Sequence, residues 1–206
     1  MQDVRLFQQL RNSKVLKVLN TYNLTGHPFE WRLYKRIILR LISNPSRDVQ
    51  KLILEKRTNL GDKNSLIGIH VRCGGKLADM PEKTTIMSKY QVKMVPMYIK
   101  RMVKKLKTTP VIYLSTDSSY AESYLRNVLR KYRVVTINDF KRGHTTNFKV
   151  SEGTIKRALM DMYLVAQGNA IIYTKKSGFS GSCFGISSAK HVYVMRSLLF
   201  LVCLIE

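Results

Sequence analysis

The chain has 206 residues, 45% of them hydrophobic, and 36 Lys and Arg against 13 Asp and Glu give it a net charge of +23. That length suits one α/β domain and is short for two, since domains run to ~100–200 residues, and the apolar share excludes a disordered chain. So large a positive excess calls for an anionic partner, and nucleic acid, an acidic membrane surface and a nucleotide sugar all fit.

The charge does not collect in a tail. The excess is +8 over residues 1–60, +12 over 61–150 and +3 over 151–206, so it is spread over a folded surface. Trp31 to Ile42 has apolar residues at helical spacing with basic residues between them. Asn44 is suited to cap the next helix, with Pro45 at its first position. Val49, Leu52, Ile53 and Leu54 give that helix a buried stripe, and Gly61 ends it. Residues 1–62 therefore read as a helical lead-in, and 63–206 as the α/β domain.

From Ser65 the order becomes regular. Leu66–Arg72 reads as a strand buried on both faces. A long loop and a helix near Val95–Leu106 follow, with Pro96 at the start of that helix. Then come a strand at Val111–Ser115, a helix at Tyr120–Lys131 and a strand at Val134–Ile137. Ser151 caps a helix over Thr154–Gln167, which Gly168 and Asn169 stop. A strand at Ala170–Tyr173, a Gly/Ser loop with a short helix near Ser182–Ala189, and a strand at His191–Met195 close the domain. Alternation of this kind predicts a parallel, doubly wound α/β sheet; strand order is not legible from it.

The remaining signals are weaker. Cys73, Cys183 and Cys203 have no metal-ligand spacing and read as small buried thiols. Asn23-Leu24-Thr25 is a glycosylation sequon that matters only in a secretory compartment. Met1 to Arg5 does not read as a secretory signal. The apolar stretch from Ser197 to Ile205 is too short to span a bilayer, which takes ~20 residues, and reads as a last core element.

Open α/β sheets bind ligands at the carboxyl ends of their strands, and three candidate sites fall there. The first is His70-Val71-Arg72-Cys73-Gly74-Gly75-Lys76, with Ala78-Asp79 beyond it. A fixed Arg beside a glycine turn is suited to grip phosphate oxygens, and an unpaired guanidinium this close to a buried strand would be costly. His70 is as well suited to the core, bonded to a carbonyl, as to a ligand. The second site is Thr116-Asp117-Ser118, which reads equally as a ribose or base contact and as a helix cap. The third is Thr154–Ser188, with Arg157, then Asp161 among apolar residues in a helix, then Ser177-Gly178-Phe179-Ser180-Gly181. A buried Asp161 needs partners and is open to a purely structural role; the Ser/Gly turn before a helix is an anion site by its own physics.

Ile69-His70-Val71-Arg72 with Gly74, Gly75 and Lys76 resembles the His-x-Arg-Arg motif of GDP-fucose-dependent fucosyltransferases, the α1,2/α1,6/protein-O group. Cys73 stands where many members have a second Arg. Asn44-Pro45-Ser46 with Val49-Gln50 is similar to the helix that precedes this motif. Thr116-Asp117 matches a family Thr/Ser-Asp pair on the nucleotide side, and Asp161, Ser177, Phe179 and Ser180 match the third motif. The resemblance covers about residues 30–190. It implies the C-terminal, Rossmann-like donor-binding domain of a GT-B glycosyltransferase, with the acceptor-shaping N-terminal domain not evident in the chain.

The chemistry the resemblance implies is inverting transfer of L-fucose from GDP-fucose to a hydroxyl of a glycan or glycoprotein acceptor, without a metal or other cofactor. Arg72, the Gly74-Gly75 backbone and the Ser177–Gly181 turn would stabilise the departing diphosphate. Lys76 and Asp79, or Glu82, would serve acceptor activation. Donor contacts would come from His70, Arg72, Gly74, Gly75, Asp117, Asp161, Ser177, Phe179 and Ser180. Residence in the Golgi or endoplasmic reticulum lumen is implied, with membrane contact only through a segment absent from this chain. No nucleic-acid partner is expected from the resemblance. Two rivals stand beside it: an inactive nucleotide-sugar-binding relative, and a basic nucleic-acid-binding α/β protein using the Lys-rich stretch Tyr90–Lys107.

Overall fold

Two apolar cores, one on each side of a single parallel sheet, organise the computed structural model, which describes residues 45–80, 82–142, 151–175 and 177–195. The expected helix over Trp31–Ile42, the Asn44 cap, the Asn23 sequon, Cys203 and the apolar end from Ser197 lie outside the described residues. In chain order the helices are α1 (Arg47–Thr58), α2 (Lys89–Leu106), α3 (Ser119–Val128), α4 (Glu152–Ala166) and α5 (Gly178–Ile186). The strands are β1 (Leu66–Val71), β2 (Val111–Thr116), β3 (Arg133–Val135), β4 (Ala170–Thr174) and β5 (His191–Met195). They are parallel throughout and lie in the order β3-β2-β1-β4-β5. This is the parallel α/β sheet that the alternation predicts, in the Rossmann-like form that the resemblance implies.

β1 lies at the centre and is buried along its whole length. Ile67, Ile69 and Val71 face α2 and α3 together with Ile112, Leu114 and Ile172, meeting Val92, Val95, Ile99, Met102 and Leu125. Leu66 joins Tyr113 and Ile171 against Val49 and Ile53 of α1, Met160 and Leu164 of α4, and Cys183 of α5. The period-two alternation of a strand thus feeds both layers. His70 shares its face with Leu66 and Gly68, so it points toward the helices of the second layer.

The chain runs outward from β1 through β2 to β3, then returns past β1 to β4 and β5. Its direction of winding therefore reverses between β1 and β4, and the crevice of such a fold opens at the carboxyl ends of those two strands. Thr174 spans this gap: its hydroxyl donates to the His70 carbonyl at 3.1 Å, and its oxygen accepts from the Arg72 N–H at 3.0 Å.

Several element boundaries differ from the sequence-based expectations. α1 begins two residues beyond Pro45, with Ser46 in the N-cap position, and Gln50 Nε2 donates back to the Pro45 carbonyl at 2.8 Å. α2 begins at Lys89 because Ser88 and Gln91 form a reciprocal capping box, which places Pro96 inside the helix. α5 begins at Gly178, since Ser177 accepts the Ser180 N–H at 3.2 Å, so the expected Gly/Ser loop is the first turn of a helix. Ser151 caps α4 as expected. Of the expected lead-in over 1–62, the part from Pro45 is described, and its α1 packs on the face that carries α4.

Gly68 sets how closely α4 approaches the sheet. A Cβ at this position would lie 2.0 Å from the Val165 carbonyl oxygen, which is backbone and has no rotamer by which to yield. Gly68→Ala should therefore separate α4 from β1 and cost about 3 kcal/mol, a fall in Tm of roughly 6–12 °C. Thermal unfolding followed by circular dichroism checks this; an unchanged Tm contradicts it.

Candidate functional site

Arg72 is the first residue past β1, and its side chain lies across the end of the sheet. One guanidinium nitrogen is 3.1 Å from Asp117 Oδ2, and the other is paired with the Glu82 carboxylate. Asp117 lies just past the end of β2, the strand next to β1. Its two oxygens also accept the N–H groups of Cys73 at 2.7 Å and Gly74 at 2.9 Å. One carboxylate thus holds the cation and the first two amides of the turn. Ser118 takes the capping position of α3 instead, accepting the Ala121 N–H at 3.2 Å.

Gly74 and Gly75 both have positive φ, 60° and 54°. Added Cβ atoms would strike the Thr84 carbonyl oxygen at 2.5 Å and Thr85 Oγ1 at 2.1 Å. The glycines are therefore needed for the loop to fold back on itself, with Ile86 and Met87 both donating to the Cys73 carbonyl. Cys73 packs into the core below this turn. Burial first, and then the Asp117 carboxylate, push its thiol up to about 12, so it stays protonated.

Lys76 lies exposed on the single turn Gly75–Leu77. Asp79 is engaged on both oxygens, accepting the Ser119 N–H at 2.6 Å and pairing with Arg142 at 2.7 Å. Burial opposes its ionisation, but the hydrogen bonds from Ser119 and the Arg142 guanidinium outweigh that, and the carboxyl sits below its ordinary value. A cleft of about 500 Å³ opens beside it, lined by Asp79, Met80, Phe140, Arg142 and Arg157 among others.

On β1, two residues before Arg72, His70 is buried. Its Nδ1 shares a 2.5 Å hydrogen bond with Ser180 Oγ, and its ring lies 4.5 Å from that of Phe179. Burial, then the nearby Arg72 charge, lower its pKa to about 3, so the imidazole is neutral. Ser177 caps α5, and around Gly178 and Gly181 the space is open, with no atom within 4 Å of an added Cβ. The first turn of α5, which carries the positive end of the helix dipole, thus lies beside His70 through Ser180.

Asp161 is buried in α4. Tyr113 donates to its Oδ1 at 2.5 Å, and Arg157 Nε lies 3.6 Å from Oδ2. Burial raises its pKa despite hydrogen bonds from Tyr113 and Ser115 and the Arg157 charge. Ser115 is the cross-strand neighbour of His70, which places Asp161 one residue from the crevice floor.

The structure brings His70, Arg72, Asp117, Phe179 and Ser180 to one end of the sheet, with Ser177 at the helix start. Gly74 and Gly75 serve the loop, Asp79 caps α3, and Asp161 forms a buried network behind. Sequence reading passed over Thr174, which ties β1 to β4, and Arg142, which pairs with Asp79 and Glu122. The only sequence signal for Thr174 is its polar side chain at a strand end. Arg142 pairs 63 residues away and has no local signal. Among the described residues no cluster of His, Cys, Asp and Glu could hold a metal ion.

The sequence matches no family model and no curated protein. Solved structures do match. POFUT1 in complex with GDP-fucose aligns with a TM-score of 0.52 and 9% identity over 82% of this chain and 50% of that one. POFUT1 in complex with GDP gives 0.53 and 9% over 84% and 53%. NodZ alpha-1,6-fucosyltransferase soaked with GDP-fucose aligns at 0.44 with 18% identity, over 68% and 42%. The chain spans about half the length of the POFUT1 structures it matches. At these identities the likeness is one of fold.

Two outcomes test the site's internal chemistry. Below pH 6.5 the unfolded chain takes up a proton on His70 that the folded chain refuses until about 3. Stability should thus fall on acidification through that window, by up to about 1.4 kcal/mol per pH unit. Urea midpoints of His70→Gln should show a shallower fall between those pH values than the parent. Asp117→Ala removes the acceptor of a cation and two amides, and should lose about 3 kcal/mol in the same urea titration at neutral pH.

Proposed function

We propose that this domain binds a GDP-sugar donor in the crevice between β1 and β4 and moves L-fucose from GDP-fucose to a hydroxyl of a glycan or glycoprotein acceptor. The carrying observation is the Arg72 guanidinium, held 3.1 Å from Asp117 just past the end of β1 and near enough for its charge to act on His70, the partner of Ser180 in the first turn of α5. The fold shared with fucosyltransferase structures supports this reading, as does the order of the three motifs along the chain.

In this reading the diphosphate takes the place of Glu82 as partner of Arg72 and lies against the first turn of α5. As the bond from the anomeric carbon to the β-phosphate oxygen breaks, negative charge grows on that oxygen. Arg72 and the α5 amides stabilise it, as preorganised donors do at developing oxyanions. The acceptor oxygen attacks the opposite face of the carbon, with inversion, and its proton passes to the Glu82 carboxylate that the diphosphate has freed from Arg72. Basic residues do the work that a bound cation would otherwise do. Lys76 is exposed beside this position and adds positive charge. Asp79, below its ordinary pKa and engaged by Ser119 and Arg142, fixes the turn. His70, neutral and bonded to Ser180, orients the α5 turn, and Phe179 packs on it. Asp161 holds the crevice floor through Ser115.

One observation favours a second reading, donor binding without transfer. Asp117 already occupies the Cys73 and Gly74 amides, and both carboxylates already occupy Arg72. Thermal shift with GDP, GDP-fucose, UDP and ADP addresses both. Guanine nucleotides at about a hundred times their Kd should stabilise the chain by ~2.7 kcal/mol, a rise of roughly 5–10 °C, and Arg72→Gln should abolish the rise. An equal response to all four nucleotides sinks the donor site. Guanine-selective stabilisation without fucose transfer or donor hydrolysis selects the second reading.

A further inference from the structure

Between Lys83 and Thr116 the sequence contains eight Lys and Arg and no Asp or Glu. The middle of this stretch is α2. Its apolar face, Val92, Val95, Ile99 and Met102, is consumed by the core. Lys89, Lys93, Lys100 and Lys104 recur at intervals that 3.6 residues per turn sets on one side of the helix. All four are exposed, with Tyr90 and Arg101 beside them. Fifteen steps of 1.5 Å from Lys89 to Lys104 make the stripe about 22 Å long.

Each of the helices α1, α3 and α4 has at least one cation in an ion pair. Arg126 pairs with Glu122 in α3, Lys156 with Glu152 in α4, and Lys56 of α1 with Asp139. On α2 no lysine or arginine has an ion pair among the described residues. A row of like charges repels itself, so leaving it uncompensated destabilises the helix unless an external anion binds.

The surroundings narrow the kind of anion. Membrane insertion needs an apolar face, and that of α2 is already buried in the core. Single-stranded nucleic acid needs open aromatic platforms. Here Lys89 covers the Tyr120 ring at 5.2 Å, Lys105 covers Tyr193 at 5.4 Å, and Tyr98 packs against Tyr193 at 6.1 Å, so that on α2 only Tyr90 offers an open ring, where a strand of stacked bases uses several. What is left is a straight row of ammonium groups, which suits a linear polyanion without bases to stack. We infer that the outer face of α2 is a docking surface for a sulfated polysaccharide, separate from the crevice at the strand ends.

The test titrates the full chain with a short heparin oligosaccharide at ~0.15 M salt. The triple variant Lys93→Glu, Lys100→Glu, Lys104→Glu should bind at least ~tenfold more weakly, with a flatter dependence of log Kd on log salt. The control Arg130→Glu, Lys131→Glu, Arg133→Glu carries the same charge change elsewhere and should bind like the parent, as should Arg72→Gln, whose defect would belong to the donor site. Circular dichroism confirms the folded state; if the Glu triple does not fold, the Gln triple at the same positions decides. An equal loss in the control triple overturns the proposal. So does tighter binding of duplex DNA, of a single-stranded oligonucleotide or of phosphatidylserine vesicles, or equal binding of the desulfated oligosaccharide.

Discussion

A single carboxylate organises the working end of this molecule. Asp117 lies past the end of β2 and takes donors from its neighbour β1: the Arg72 guanidinium and the amides of Cys73 and Gly74. Charge-assisted bonds of this kind are the strong ones, and the side chain is only 13% exposed, so water competes weakly. Without Asp117 the two amides would lack their acceptor in a largely dry place, and Arg72 would lose one of its two carboxylates. With it, the direction in which β1 leaves the sheet is fixed, and with that direction the orientation of everything up to Met87.

The second organising element is the close approach of α4 to β1 over Gly68. It draws the α4–α5 layer onto the sheet and brings Ser180 within hydrogen-bond reach of His70. The two glycine sets near the crevice then play opposite parts. Gly74 and Gly75 are enclosed by the loop's own return, while Gly178 and Gly181 border empty space.

Much of this was legible in the sequence because it is local. Apolar β-branched runs bounded by turns mark β1, β2, β4 and β5, and a serine one residue ahead of a helix marks α4. The capping box at Ser88 and Gln91 is equally local, while Pro96, a residue favoured at helix starts, gives a competing signal further along the chain. A proline inside a helix forfeits one hydrogen bond, and α2 tolerates that because Pro96 is buried among core side chains. Gly and Ser are poor helix formers, so the sequence predicts a loop up to a short helix near Ser182; burial of Ser180, Cys183 and Gly185 overrides that propensity and lets α5 begin at Gly178. Strand order, the Arg72–Glu82 pair and the Asp79–Arg142 pair were out of reach, since each depends on which distant segments the sheet sets side by side. The candidate residues were found by type and place, while their partners were not.

The loop after β1 is braced by its own backbone, with Thr84 and Thr85 lodged against the paired glycines and Met87 donating to Cys73. Such a segment has already given up its conformational freedom in the empty state. A ligand arriving there does not have to organise it, so its affinity would reflect desolvation and direct contact, and association would leave the heat capacity of that loop almost unchanged.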